Sequence, residues 1–391
     1  MTNGLRQVQA LGQSVWLDDL SRTVLDDGTL LGLIRDDGIS GITTNPAIFA
    51  RALQTDGSYA KAITDAVSTG VVLIERIYER LVTEDVRRAA DLLHPTYERT
   101  AKQDGYVSLE VSPHAADDAA ATLIEARRLW RAVDRPNLMI KVPGTKAGLP
   151  AVRALIAEGI NVNVTLLFSV ARYAEVVDCH RRGLEDRAAA GQAVDGVASV
   201  ASFFLSRIDT RVDELLDAQP GPAVGALRGQ AAVGSAGMAY AGFLSATDNS
   251  AAWQKLARRG AMPQRLLWAS TSAKDPAYHE LKYVEPLIAP QTVTTLPSST
   301  LDAVRHAGGF QADLRATANR STGIAGALTG HGIDLERVAD ELEREGVRKF
   351  ADAFDTLLDR IGELCDRALE GNAGVTSTSA ERAGRGGAGG P

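Results

Sequence analysis

The chain has 391 residues, 45% hydrophobic and 23% charged, enough apolar material for one large core or two ordinary ones. Its 42 basic and 49 acidic side chains give a net charge of −7 with no long block of either sign, and no basic stripe interleaved with aromatics, which excludes nucleic acid as a main partner. Two distant cysteines, Cys179 and Cys365, with no CxxC pair and no run of ~18 apolar residues, argue against a disulfide framework, a structural zinc site and a membrane span, so a cytoplasmic protein is expected.

Eight β-type runs follow one another along the chain. The first four are SVWLDDL (14–20), GITTNP (41–46), YVSLEVS (106–112) and LMIKVPG (138–144). The others are INVNVTLLF (160–168), VASVASFFL (197–205), RLLWAST (265–271) and QTVTTLP (291–297). They are rich in Val, Ile, Thr and aromatics and mostly bounded by Gly, Pro or polar turns. Helical patterns separate them, as in 117–133, where Leu123, Ala126, Leu129 and Trp130 recur at helical spacing. Segment 47–105 is too long for one helix and includes a helical pattern over 72–93; segment 208–264 is a second insertion, rich in Ala and Gly. Beyond the eighth run Phe350, Phe354, Leu357, Leu358 and Ile361 form an apolar stripe, and the Gly/Ser/Ala-rich end, 371–391, reads as disordered. Eight strands alternating with helices predict an α/β fold, a closed (β/α)8 TIM barrel with additional helices inserted and at the C-terminus, forming one domain over residues 1–370.

Lys141 lies among Leu138, Met139, Ile140 and Val142. A lysine so flanked either reaches out to solvent or becomes neutral, and a neutral amine attacks carbonyl groups. Barrel chemistry gathers where strands end, and polar residues recur there. They are Asp18 and Asp19, Thr43, Thr44 and Asn45, Glu110, Lys141, Asn163 and Thr165, Ser202 with Arg207 just beyond, and Ser270, Thr271 and Ser272. Alone, each has a plainer role. Asp18 or Asp19 could cap a helix, Asn45-Pro46 could be a turn, and Glu110 and Arg207 could be solvated. Asn163 and Thr165 alternate with Val162 and Val164, which turns them both into the lumen of a closed barrel. The six histidines, His94, His114, His180, His279, His306 and His331, show no ligand spacing, and no metal is expected.

GITTNPAIF, IKVPGTKAG, EGINVNVTLLFS and SFFLSRID, in this order, resemble the hallmark segments of transaldolases, the likeness extending over residues 10–365 and favouring the longer bacterial type. The resemblance implies a class I aldolase mechanism. Lys141 forms a Schiff base with a ketose phosphate, Asp18 takes the C4 hydroxyl proton, and Glu110 shuttles protons through a water held with Thr165. Asn45, Asn163 and Ser202 match residues of the dihydroxyacetone pocket, and Arg207 and Ser270 those of the phosphate end. The chain departs from the pattern at WASTSAKDP, where Ser272 stands in place of a common arginine, and Lys274 is a candidate for the missing charge. Glu110 and Phe204 favour transfer, because the fructose-6-phosphate aldolase branch usually carries Gln and Tyr at these positions. Two alternatives are such an aldolase and a barrel that only binds sugar phosphates. The implied reaction moves dihydroxyacetone between sedoheptulose 7-phosphate and glyceraldehyde 3-phosphate in the non-oxidative pentose phosphate pathway. It needs no cofactor and no membrane partner, and the family includes monomers and homodimers.

Overall fold

The computed structural model describes the backbone of residues 3–71, 73–219 and 225–383, and side chains as far as residue 370. Eight parallel strands close in sequence order into a barrel. They are β1 (Gln13–Leu17), β2 (Gly41–Thr43), β3 (Tyr106–Glu110), β4 (Leu138–Pro143), β5 (Val162–Leu167), β6 (Ser199–Phe204), β7 (Arg265–Ala269) and β8 (Thr292–Leu296). Pairing of β1 with β8, from Gln13 against Thr292 to Leu17 against Leu296, closes the ring. Seven strands stand inside predicted runs, and β1 begins one residue before its run, at Gln13. The first strands are shorter than their runs, which leaves Asp18 and Asn45 just past the strand ends.

Alternation decides what faces where. Leu109, Ile140, Val142, Val162 and Val164 are buried, and by the two-residue period they face the helical jacket while Glu110, Lys141, Asn163 and Thr165 face the lumen. β2 begins at Gly41 because a Cβ there would come within 2.5 Å of the Trp16 indole.

The 47–105 insertion folds into helices Pro46–Thr55, Ser58–Ser68 and Ile74–Arg99, the last covering most of the predicted 72–93 pattern. In the second insertion, helix Ala231–Asp248 packs closely on helix Leu314–Gly330. A Cβ at Gly237 would lie 3.1 Å from the Ala318 backbone, so the absence of a side chain permits that approach. The last helix, Leu335–Ala383, is longer than its apolar stripe predicted. Its backbone stays helical past residue 371, where irregular chain was expected, and residues 384–391 of that expected tail lie outside the described residues.

This last helix crosses the C-terminal mouth of the barrel. Phe354 packs edge-on against Tyr78 at 5.2 Å and His114 at 6.0 Å between ring centroids, and His114 Nε2 lies 2.7 Å from Asp355 Oδ1. Leu357 and Ile361 of the same helix are fully buried. His114 is thus a docking point for the helix. Among the described residues no helix is long and apolar enough to cross a membrane.

Candidate active site

Lys141 is 4% exposed, on the lumenal side of β4. In strand register it stands between Glu110 of β3 and Asn163 of β5, which puts three functional side chains at one level of the barrel. Its Nζ donates to the Thr44 carbonyl (3.0 Å) and lies 3.5 Å from Glu110 Oε2. The Phe350 ring of the last helix roofs it at 5.7 Å. A buried ammonium needs a counter-charge and hydrogen-bond acceptors. Lys141 has one carboxylate and one carbonyl within hydrogen-bonding reach.

Burial pushes the Glu110 carboxyl up to about 7, a rise moderated by the positive charge of Lys141. Its Oε1 is buried without a protein partner, as is the hydroxyl of Thr165. Unsatisfied buried oxygens are costly, so their presence in one lumen indicates groups shaped for water or substrate.

Asp18 sits at the end of β1, where burial raises its pKa and the Lys141 charge and the Thr43 hydroxyl oppose the rise. Thr43 Oγ1 donates to Asp18 Oδ1 (2.7 Å) and lies 2.6 Å from Thr295 Oγ1, which fixes the carboxyl toward the lumen. The two neighbouring aspartates therefore separate. Asp19 pairs with Arg51 at 2.9 Å and accepts from Ser298 (3.2 Å). Neither caps the following helix, whose N-cap is Ser21.

A hydrogen-bonded chain positions the amide of β5. Asn163 Nδ2 donates to Ser108 Oγ (3.0 Å), and Ser202 Oγ donates to Asn163 Oδ1 (2.6 Å). Each end of the amide retains one further bonding position. Asn45 has two roles: its Oδ1 caps helix Pro46–Thr55 by accepting from Ile48 N (3.0 Å), and the residue also lines the cavity. The plain turn reading of Asn45-Pro46 and the site reading are both satisfied by one geometry.

These side chains enclose a cavity of about 280 Å³, bordered by Asp18, Asn45, Lys141, Thr165 and Ser202. Its other side is formed by Phe204, Arg207 and Ser270. Arg207 lies over the Phe204 ring at 5.8 Å, and Phe204 packs on Phe168 at 5.3 Å. Ser270 has a left-handed backbone (φ 56°) and its hydroxyl is 2.8 Å from Ser206 Oγ. Leu166, beside a register shift between β5 and β6, has φ 60°. Two of the six described non-glycine residues with positive φ thus lie at the mouth.

Glu110 and Asn163 do not border the cavity themselves but contact Lys141 and Ser202, which do, whereas Lys274, like Asp19, stands apart. Lys274 is exposed, donates to Ser272 Oγ (2.9 Å), and does not border the cavity. The loop 272–275 turns it outward. The cavity instead carries Lys349 and Phe350, which sequence reasoning did not assign to the site. The apolar stripe of the last helix was visible, but not where that helix would cross the barrel. Ser108 and Thr295 were also missed; their lumenal alternation in β3 and β8 was the available signal. Among the described residues there is no cluster of His, Cys, Asp and Glu suited to a metal ion.

A closed (β/α)8 barrel with a buried lysine beside Glu110 at its C-terminal mouth, and Asp18 in the same cavity, is the arrangement of a lysine-centred aldolase barrel. The chain matches the Transaldolase/Fructose-6-phosphate aldolase family over residues 15–361, and it belongs to that family. It is 48% identical to a transaldolase of Thiobacillus denitrificans over 360 residues, covering 92% of this chain and all of the relative. A transaldolase of Saccharopolyspora erythraea is 44% identical over 369 residues, 94% of this chain and 99% of the relative. "Transaldolase 2" of a Nostoc species is 45% identical over 377 residues, 92% and 97% of the two chains.

Proposed function

We propose that this chain is a transaldolase that moves a dihydroxyacetone unit from sedoheptulose 7-phosphate to glyceraldehyde 3-phosphate, through a Schiff base on Lys141. The products are erythrose 4-phosphate and fructose 6-phosphate. The observation that carries this is the placement of Lys141, 4% exposed, with Glu110 Oε2 3.5 Å from its amine and Asp18 in the same cavity.

The steps follow from the chemistry of these groups. The free amine of Lys141 adds to the ketose C2 carbonyl, giving a carbinolamine. Loss of its hydroxyl as water requires an acid, and Glu110, pushed up to about 7, holds a transferable proton near neutrality. The iminium nitrogen then accepts the electron pair of the C3–C4 bond as Asp18 takes the C4 hydroxyl proton and the aldose phosphate leaves. Asn45, Asn163 and Ser202 hold the hydroxyls of the enamine, and the Thr165 hydroxyl holds the water that links Glu110 to the reacting centre. Arg207 and Ser270 receive the phosphate. The acceptor aldehyde adds by the reverse of these steps.

Transfer is tested against aldol cleavage by following the three-carbon unit. With fructose 6-phosphate and erythrose 4-phosphate the enzyme forms sedoheptulose 7-phosphate. With fructose 6-phosphate alone, free dihydroxyacetone appears far more slowly. Equal rates of dihydroxyacetone release with and without acceptor would identify an aldolase instead.

A further inference from the structure

The phosphate end of the cavity has an imbalance that the β6 and β7 residues do not resolve. A phosphate monoester near neutral pH carries close to two negative charges, whereas Arg207 is the one cation these strand ends supply. Among the described residues Arg207 forms no ion pair, and its Nη1 is buried without a hydrogen-bond partner. Lys274 faces solvent and is bound to Ser272.

The last helix brings a second cation from another direction. Gly346 lets that helix settle on the strand ends: a Cβ at this position would lie 3.0 Å from Leu166 Cδ2 and 3.7 Å from Arg207 Nη1. Three residues on, and on the same helical face, Lys349 borders the cavity together with Arg207 and Ser270. Its amine pairs with Glu345, one turn back. The lysine side chain is 57% exposed, so the amine has room to change partners.

We propose that Lys349 is the second cation of the sugar-phosphate subsite, and that Glu345 holds its charge until a phosphate replaces the carboxylate. This rests on the transaldolase reading, with the phosphate at Arg207. Phosphorylated substrates then bridge the barrel (Arg207, Ser270) and the last helix (Lys349), which also carries Phe350 over Lys141. Unphosphorylated sugars lack that bridge. Lys349 is therefore a specificity-determining residue for phosphorylated over neutral aldehydes.

The test uses the full chain, with inorganic phosphate as a competitive inhibitor against fructose 6-phosphate and with glyceraldehyde 3-phosphate compared to glyceraldehyde as acceptor. Lys349→Met is expected to raise the inhibition constant for phosphate and KM for fructose 6-phosphate about 10-fold, the scale of losing a charge-assisted hydrogen bond, with a much smaller change in kcat. The preference for glyceraldehyde 3-phosphate over glyceraldehyde falls by a similar factor. Glu345→Gln is expected to tighten phosphate inhibition. An unchanged inhibition constant in Lys349→Met, or equal losses on both acceptors, overturns the assignment, as does a loss of phosphate preference in Lys274→Met but not in Lys349→Met. Arg207→Met separates this from failure of the underlying reading: if it too leaves phosphate inhibition unchanged, the phosphate end does not lie at Arg207.

Discussion

Replacing Glu110 by Gln keeps the size and hydrogen-bonding capacity of the side chain but removes the proton it exchanges. In the wild type the carboxyl is pushed up to about 7 by burial and lies 3.5 Å from the Lys141 amine. The sign is set by that direction. Glu110 is a proton donor below about 7, and the protonated fraction falls about tenfold for each pH unit above it. If dehydration of the carbinolamine limits Schiff-base formation, the wild-type rate therefore descends above pH 7. General acid catalysis contributes roughly 10²–10⁴-fold, so the Glu110→Gln variant is expected to form the iminium at least ~100-fold more slowly, and without the descending limb. Rapid mixing with fructose 6-phosphate, no acceptor, and a borohydride quench between pH 5.5 and 9 measures both features. A variant within a few-fold of wild type, or one that keeps the inflection near 7, refutes the assignment of Glu110 as the proton shuttle. The same raised pKa has a consequence for stability. Between the unfolded and folded pKa values the native state holds a proton the unfolded chain has lost, so this group makes the fold less stable as pH rises from about 4.5 toward 7.

Asp18→Asn is expected to separate binding from cleavage: the Schiff base still forms and is trapped by borohydride, while C3–C4 cleavage falls at least ~100-fold. An equal loss of trapping would place Asp18 earlier in the reaction. Asp85 is fully buried, accepting from Arg22 Nε (2.9 Å) and Tyr59 Oη (2.7 Å). Asp85→Ala leaves Arg22 with Glu84 alone (3.1 Å) and Tyr59 without its acceptor, and is expected to cost about 3 kcal/mol, the low end for breaking a buried pair, read by denaturant unfolding; a loss below ~1 kcal/mol contradicts the buried network. Gly346→Val is expected to lift the last helix from Leu166 and raise KM for fructose 6-phosphate, with little change in melting temperature. A KM like that of wild type would show that the close approach is not needed.

Period-two alternation and turn residues were enough to locate all eight strands and to turn Lys141, Asn163 and Thr165 inward, because closure of a barrel converts a local pattern into a shared lumen. Glu110 was legible for the same reason, being placed by the end of its own strand, whereas the resemblance, not the local pattern, singled out Asp18 from Asp19. What was not legible depended on long-range docking. Whether Asp18 or Asp19 faces the lumen is decided by Thr43 and Thr295 on one side and by Arg51 and Ser298 on the other. Lys274 was chosen for its nearness in sequence to Ser270, but the loop conformation turns it outward. Lys349 lies 79 residues beyond Ser270 and reaches the cavity because Gly346, Phe354 and Asp355 fix how the last helix crosses the mouth. No local pattern encodes that crossing.

The central claim is that Lys141 carries the substrate covalently, and borohydride reduction in the presence of fructose 6-phosphate tests it most directly. The account predicts one reduced three-carbon adduct per chain, found by peptide mass mapping on Lys141, and none in Lys141→Met, whose side chain has similar length and no amine. An adduct on any other lysine, or wild-type turnover with no trapped adduct, would contradict it.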